Sequence, residues 1–392
     1  MKKIAVILLS LVLLCAALLP AAAADMPILT PAEKEHLHFD ENGRFRILNF
    51  SDFQDGICMS ILTVDFVKKS VAKYNPDLIV LTGDNIAGYI CATKSASEAA
   101  IRSFMDVLEE IGVPVALVFG NHDDEGNALS KQDQMEIYDD YGVCMAIDEA
   151  DYGEDLSGVG TYYVPVYEDA RSTKVKFVCW MFDSGSDDAV EETDNYDHVH
   201  ADQIEWYEAE SARLNKESGE TVYGIAFQHI VVNEIYKAFD KVDQDTDGAV
   251  PYLGEWYALP ASASADSYMG EAPCPSYGSD GEYEAFQRNG NVLAVVCGHD
   301  HANSYVIPYE GIDIVCTPSC GFGSYADQSC RGARVIDLDL KDTSTYTTFT
   351  YLYSDASSNS VFLKLQYTFV NFWKQIYLWF NNTWVRLRET MK

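Results

Sequence analysis

Five times between residues 45 and 301 a short apolar run ends in a cluster of side chains able to bind cations. The runs are Phe45–Phe50, Leu78–Leu81, Val115–Phe119, Val222–Phe227 and Val292–Cys297. The clusters that follow them are Ser51-Asp52-Phe53-Gln54, Thr82-Gly83-Asp84-Asn85, Gly120-Asn121-His122-Asp123, Gln228-His229 and Gly298-His299-Asp300-His301. Segments with helical periodicity near 61–73, 95–111, 130–141 and 201–215 alternate with these and with a further core run, Val175–Phe182. Such alternation is the signature of a layered α/β fold. In folds of this kind sites gather where strands end, so the spacing predicts five loops meeting on one rim. Strands expected at 303–308, 312–316, 333–340 and 345–352 follow each other too closely for crossover helices. They must pair antiparallel or join a second sheet, and the architecture expected is a two-sheet β-sandwich flanked by helices.

Taken singly, each cluster has an ordinary explanation as a turn, a helix cap or a buried polar residue. Independent turns, however, have no reason to supply five complementary ligand sets in one order at strand ends. Carboxylate, amide and imidazole donors suit borderline divalent or trivalent metals, and one carboxylate can bridge two of them. A pair of close metals is what hydrolysis of a phosphate ester needs, because they polarise its oxygens and turn a bound water into a nucleophile near neutral pH. His299 and His301 are separated by one residue, so they can reach different metals only from a turn or an irregular strand end.

The ordered set resembles the calcineurin-like metallophosphoesterase superfamily, whose pattern runs Asp-x-His, Gly-Asp, Gly-Asn-His-Asp/Glu, a separate His, and Gly-His-x-His. The likeness spans roughly residues 44–340. The wording Thr-Gly-Asp-Asn-Ile at 82–86, Phe-Gly-Asn-His-Asp-Asp-Glu at 119–125, Asp183-Ser184-Gly185, Gly-His-Asp-His-Ala-Asn at 298–303, Gly321-Phe322-Gly323 and Arg331-Gly332-Ala333-Arg334 looks most like the purple-acid-phosphatase-like branch. The resemblance implies a four-layer α/β/β/α fold and two metal ions per chain, drawn from iron, zinc and manganese. It implies Asp52, Gln54, Asp84 and His301 around one metal, and Asp84, Asn121, His229 and His299 around the other, with Asp84 as the bridge. His122 would donate a proton or hydrogen bond to the leaving oxygen, with Asp123 orienting or polarising its ring. The activity implied is hydrolysis of phosphomonoesters, with small diesters or nucleotides as the alternative substrates. Position 54 departs from the pattern, which has histidine there. An amide is a weaker and neutral donor, so metal identity stays open, as does a secreted binding protein that keeps the fold without the chemistry. The tyrosine that colours true purple acid phosphatases is not evident, since Ala87 stands three residues after Asp84 and Tyr89 is displaced.

Around this core the chain divides into three parts. Lys2 and Lys3, the apolar run Ile4–Leu19 and Ala22-Ala23-Ala24 read as an export signal over 1–24, which makes the protein secreted or extracytoplasmic. A catalytic domain follows over 25–355, carrying at 233–290 a stretch rich in Gly, Pro, Ser and Tyr that is long enough to be a lid or pocket wall. Within it, Asp243–Gly248 matches the opening of a calcium loop, but Gly254 stands at the closing position and Glu255 comes one residue late, so the expectation is an ordinary acidic loop. Residues 356–392 read as an amphipathic helix rich in aromatics. Its apolar face and basic end suit peripheral membrane contact through 361–388, which would associate the protein with the cell surface, or docking onto the catalytic domain or a second subunit.

Without Lys2 and Lys3, 25 basic side chains face 61 acidic ones, a net charge near −36 that repels polyanions and excludes nucleic acid as a partner. The partner expected is a small phosphoester. Of ten cysteines, nine lie beyond the leader, an odd number that cannot all pair within one chain. Cys179 and Cys297 read as core residues, Cys58 and Cys91 as a candidate disulfide, and Cys316, Cys320 and Cys330 as structural or a further disulfide. His36 and His38 have no partners in the pattern and read as surface or N-terminal packing residues, while His198 and His200 read as the entry to a helix, with a pocket-wall role open to them.

Overall fold

The computed structural model describes residues 36–147, 156–186 and 196–356. The expected leader and the segment beyond Ala356 lie outside the described residues.

The chain forms β1 (Arg44–Phe50), crosses through α1 (Ile61–Tyr74) to β2 (Leu78–Thr82), and through α2 (Lys94–Ile111) to β3 (Val115–Val118). These strands pair in parallel, β1 with β2 and β2 with β3, as helical crossovers require. The helices stop and start where the sequence provides caps. Ser60 accepts from the Leu62 N–H ahead of α1, Thr93 from that of Ala96 ahead of α2, and Gly112 ends α2 in the left-handed conformation. A single turn, α3 (Asn121–Asp124), and then α4 (Lys131–Tyr138) lead out of this half.

The second half holds β4 (Tyr162–Tyr167), β5 (Val175–Met181), α5 (Ala201–Ser218) and β6 (Tyr223–Phe227). After the 233–290 stretch come β11 (Val292–Cys297), β12 (Asn303–Tyr309), β13 (Ile312–Cys316), β14 (Gly332–Asp339), β15 (Thr347–Leu352) and the short α8 (Tyr353–Ala356). That stretch is itself structured. It carries α6 (Ile235–Ala238), a three-stranded sheet of β7 (Asp240–Val242), β8 (Val250–Tyr252) and β9 (Glu255–Ala258), then β10 (Tyr268–Met269) and α7 (Glu282–Asn289). The acidic loop at 243–248 is an exposed turn between β7 and β8, and Glu255 is occupied in an ion pair with Lys241 at 2.7 Å.

Two large sheets result, with strand orders β15-β14-β1-β2-β3 and β10-β12-β13-β11-β6-β5-β4. Both outcomes expected for the late strands occur. β12 and β13 pair antiparallel in the second sheet, while β14 returns to lie antiparallel beside β1 in the first. Side-chain alternation along β5 shows how the layers stack. Phe177, Cys179 and Met181 join a core with Phe45, Ile47, Leu81 and Leu117 of the first sheet. Val178, Trp180 and the following Phe182 point the other way, onto Ile204 and Tyr207 of α5 and Tyr283 and Phe286 of α7. Phe66 and Val67 of α1 and Ile101, Phe104 and Leu108 of α2 cover the first sheet. The order of layers is therefore α/β/β/α.

Two features of this frame differ from the sequence reading. β4 is not among the strands expected; its burial alternates regularly with Pro165 on the outward side, and the strand lies at the end of its sheet, where proline is tolerated. Cys58 and Cys91 are not bridged to each other: Cys58 is exposed and Cys91 is buried, while Cys316, Cys320 and Cys330 are buried free thiols. A disulfide needs its two Cβ atoms close together, and succession along the chain does not supply that.

Candidate metal centre

Asp52, Asp84 and Asn121 stand beyond β1, β2 and β3 of the first sheet, and His229, His299 and His301 beyond β6 and β11 of the second. The two sheets bring these ends face to face. His229 reaches across to hold the Thr82 carbonyl through Nδ1 at 2.8 Å, while its Nε2 lies 3.1 Å from Asn121 Oδ1 and 3.3 Å from Asp84 Oδ1. His299 Nδ1 is 3.2 Å from that same Nε2. On the other side His301 Nε2 lies 3.3 Å from Asp52 Oδ1, and one ligand atom each from Asp52, Asp84 and His301 fall within 4.8 Å of one another. Gln54 also enters the cluster, with its amide nitrogen donating to Asp84 Oδ2 at 2.5 Å. A metal bond from Gln54 would need the other amide atom, Oε1.

So close an approach of two sheets demands small residues between them. A Cβ on Gly83, whose φ is +85°, would sit 2.6 Å from His229 Nδ1, and one on Gly298 would strike Ser51 and Asp52. The backbone is also bent to aim the side chains. Asp52, Gln54, Asp84 and His299 have φ of 54°, 35°, 51° and 71°, four of the seven non-glycine residues with positive φ among the described residues. Each such conformation costs on the order of 1–3 kcal/mol and persists only where surrounding structure over-determines it. His299 therefore leaves β11 through an irregular end, the geometry that lets it and His301 diverge.

Electrostatics follow from burial. Asp52, Gln54, Asp84, Asn121, His229 and His301 are all buried, and neither carboxylate oxygen of Asp52 accepts a hydrogen bond. A buried carboxylate without donors needs a cation. Burial works against charge on Asp84, yet the His229, His122 and His299 rings hold its carboxyl well below the usual range. Burial likewise disfavours a charged His229, but Asp84 and then Asp52 push its ring up to about 10. His301 behaves similarly, at about 9 against burial because of Asp52, whereas burial and the neighbouring His229 hold His299 down to about 3. The acidic pair thus draws positive charge onto the imidazoles around it. Carboxylate, imidazole and amide oxygen donors around one buried point fit metal ions of the borderline class.

The rings are oriented from behind in the way metal-ligating histidines are. His229 Nδ1 is fixed by the Thr82 carbonyl and His301 Nδ1 by the Tyr325 carbonyl at 2.8 Å, with the Tyr325 ring stacked on it at 4.3 Å. The segment 319–323 backs the Asp52 loop, since Cys320 and Gly321 donate to the Ser51 and Asp52 carbonyls.

His122 lies at the edge of the cluster, part-exposed, with its N–H donating to Asp84 Oδ1 at 2.9 Å. The orienting role expected of Asp123 is not what the structure shows. Asp123 is turned inward and accepts the backbone N–H groups of Gly120, Ile86 and Asn85 at 2.8, 2.9 and 3.2 Å, which ties the second loop to the third. Burial and the charge of Asp84 raise its carboxyl. The group beside the His122 ring is Glu125, whose Oε2 lies 2.8 Å from Nδ1 while Oε1 accepts from Asn121 Nδ2 at 2.9 Å. Glu125 is three and four residues beyond these partners on one helical turn, a spacing visible in the sequence. Tyr196, edge-on to His299 at 4.4 Å, gave no such signal.

Comparison with known proteins places these loops in context. The sequence profile described as calcineurin-like phosphoesterase matches residues 45–303. Among curated relatives, "Probable inactive purple acid phosphatase 29" of Arabidopsis thaliana is 26% identical over 341 residues, covering 80% of this chain and 82% of its own length. "Phosphatase DCR2" of Saccharomyces cerevisiae is 23% identical over 299 residues, covering 72% of this chain and 48% of its own. Among solved structures, a dimetal phosphatase from Danio rerio aligns with a TM-score of 0.47 at 14% identity, over 78% of this chain and 99% of that one.

Proposed function

Because the chain belongs to the calcineurin-like phosphoesterase family, whose profile covers its five ligand-bearing loops, we propose that it hydrolyses phosphomonoesters at a two-metal centre, with small diesters or nucleotides as the alternative substrates. The observation that carries this reading is the buried Asp52–Asp84–His301 group, in which both Asp52 oxygens are left without donors. Asp52, Asp84, His301 and Gln54 would hold one ion, and Asp84, Asn121, His229 and His299 the other. Metals held there polarise a phosphoryl group and make water nucleophilic near neutral pH.

The chain's own part is positional and protonic. Strained strand ends fix the ligands before substrate arrives. His122, the part-exposed ring at the rim, is suited to protonating the leaving oxygen. Burial disfavours its charged form, but Glu125 and Asp84 outweigh that and raise its pKa, which favours the protonated ring a leaving group needs. Glu125 at Nδ1 leaves Nε2 for the substrate. The leader supports export, and the strongly acidic surface supports a small substrate over a polyanion. Among the described residues no helix is long and apolar enough to cross a membrane.

A second reading rests on Gln54. Its neutral amide stands where the family pattern has histidine, it donates to Asp84, and the Arabidopsis relatives carry the words "probable inactive". On that reading the chain binds a phosphoester without turning it over. The experiment is reconstitution with manganese, zinc or iron, followed by metal analysis and assay on aryl phosphate mono- and diesters. Turnover of the monoester, abolished in Asp84→Asn, supports the first reading. Metal whose retention depends on Asp84, with no turnover of any ester, sinks it in favour of the second.

A further inference from the structure

Outside the central cluster, one other group of side chains among the described residues is arranged as a cation site. His198 and His200 precede α5, and Asp280 lies in the turn before α7, at the far end of the 233–290 stretch. One ligand atom from each falls within 4.8 Å of the others. We propose that His198, His200 and Asp280 bind a third metal ion, a borderline divalent cation such as zinc, which fastens the 276–281 turn to the segment leading into α5.

The distances separate this arrangement from a set of hydrogen bonds. Asp280 Oδ1 lies 3.5 Å from His198 Nε2, and Oδ2 lies 3.8 Å from His200 Nδ1. Those gaps are too wide for hydrogen bonds. They come close to the edge of a tetrahedron, roughly 3.3 Å, whose metal–ligand bonds are about 2.0–2.1 Å. A second carboxylate faces the opposite nitrogens. Asp197 Oδ1 is 3.1 Å from His200 Nε2 and 3.7 Å from His198 Nδ1. A proton on His200 Nε2, shared with Asp197, leaves the lone pair on Nδ1, the atom turned to Asp280. An outer carboxylate that sets the tautomer of a ligating ring is a recurrent feature of zinc sites. His198 Nε2 points the same way independently, being buried with no hydrogen-bond partner although it faces Asp280. The two rings are also only 4.9 Å apart, so one shared dication meets less repulsion than two imidazolium ions.

The surroundings hold the ligands in place. The Asp280 carboxylate accepts the Ala201 N–H at 3.0 Å, and Asn233 Nδ2 donates to the Gly278 carbonyl at 2.8 Å. Gly278 packs so closely on the His198 ring that a Cβ there would lie 2.7 Å from Nδ1. Two residues before His198, Tyr196 rests on His299 of the central cluster. The third ion thus braces the wall from which that tyrosine leans.

The test counts metal. Full-length protein is loaded with excess zinc, desalted and analysed for zinc per chain, beside the His198→Ala/His200→Ala double variant and Asp280→Asn. The wild type retains one equivalent more than either variant. Equal zinc in wild type and Asp280→Asn, the milder change, overturns the proposal, and Asp280→Asn decides the matter should the double variant fail to fold by circular dichroism. The count is a difference between proteins that share the central cluster, so it stands apart from whether that cluster turns over phosphoesters.

Discussion

The central cluster and the His198–His200–Asp280 group use the same kinds of side chain and are built in opposite ways. The first stands on the ends of five parallel strands from two sheets, is almost wholly buried, and holds four of its residues in left-handed backbone. The second stands on two loops, with side chains 23–40% exposed and none of its three residues at positive φ. Strain can be kept only where packing on every side forbids relaxation, and the sheets provide that. What the contrast teaches is a division of labour: strand ends fix a reactive geometry in advance, while loops can gather a brace that forms as the surface closes.

The sharpest way to break the contrast is to remove charge from the buried side. Asp84→Asn is expected to lower turnover by roughly 10²–10³-fold or more, by the scale of losing a key electrostatic group, and to reduce central metal content; unchanged metal and rate would place the chemistry elsewhere. Gly83→Ala attacks the geometry without touching a ligand. Its Cβ would press on His229 from a residue at φ +85°, for a strain of about 1–3 kcal/mol. A lowered Tm together with weakened metal binding is expected, and a wild-type melting curve would show that the sheets can move apart after all.

These expectations also mark what the sequence could reveal. The five clusters were legible because each is local, a strand followed at once by its ligands, and a two-sheet sandwich flanked by helices followed from the alternation of runs and helices, the four-layer order being what the family resemblance implied. Glu125 was within reach, being one turn from His122, whereas Asp123, the residue the family pattern puts forward, ties two loops together instead. Tyr325 could not be found, since the carbonyl it gives His301 is one any residue has and its stacked ring lies 24 residues along the chain with no spacing to announce it. Nor could the rim group, because Asp280 lies 80 residues after His200 and the two meet only when α5 and α7 pack on one face of the second sheet.

A smaller change probes how the catalytic edge depends on its support. Glu125→Gln keeps the shape beside His122 but removes the charge, and a loss of about 10–100-fold in activity is expected, the range found for outer groups of metal sites. Because Glu125 also holds Asn121, metal affinity is measured alongside the rate. A fall in rate at full metal content locates its action on His122, and a fall in both locates it on Asn121.

The smallest effect concerns the wall between the two groups. Glu282 lines a cavity with Gln228, next to His229, and with Asp197 and His198 of the rim. Burial pushes its carboxyl up to about 8, opposed by a hydrogen bond from Gln228. The folded value lies above the unfolded one, so the protonated form is favoured in the native state. The stability it contributes is complete below the unfolded value of 4.5 and is lost as pH rises through about 8. Wild-type protein should accordingly lose a few degrees of Tm, roughly 3 °C for a chain of this size, between pH 6 and 8.5, and Glu282→Gln should lose less. Parallel melting curves for the two proteins across that range would show Glu282 already charged in the native state, and the cavity wall would then be as wet as the rim it adjoins.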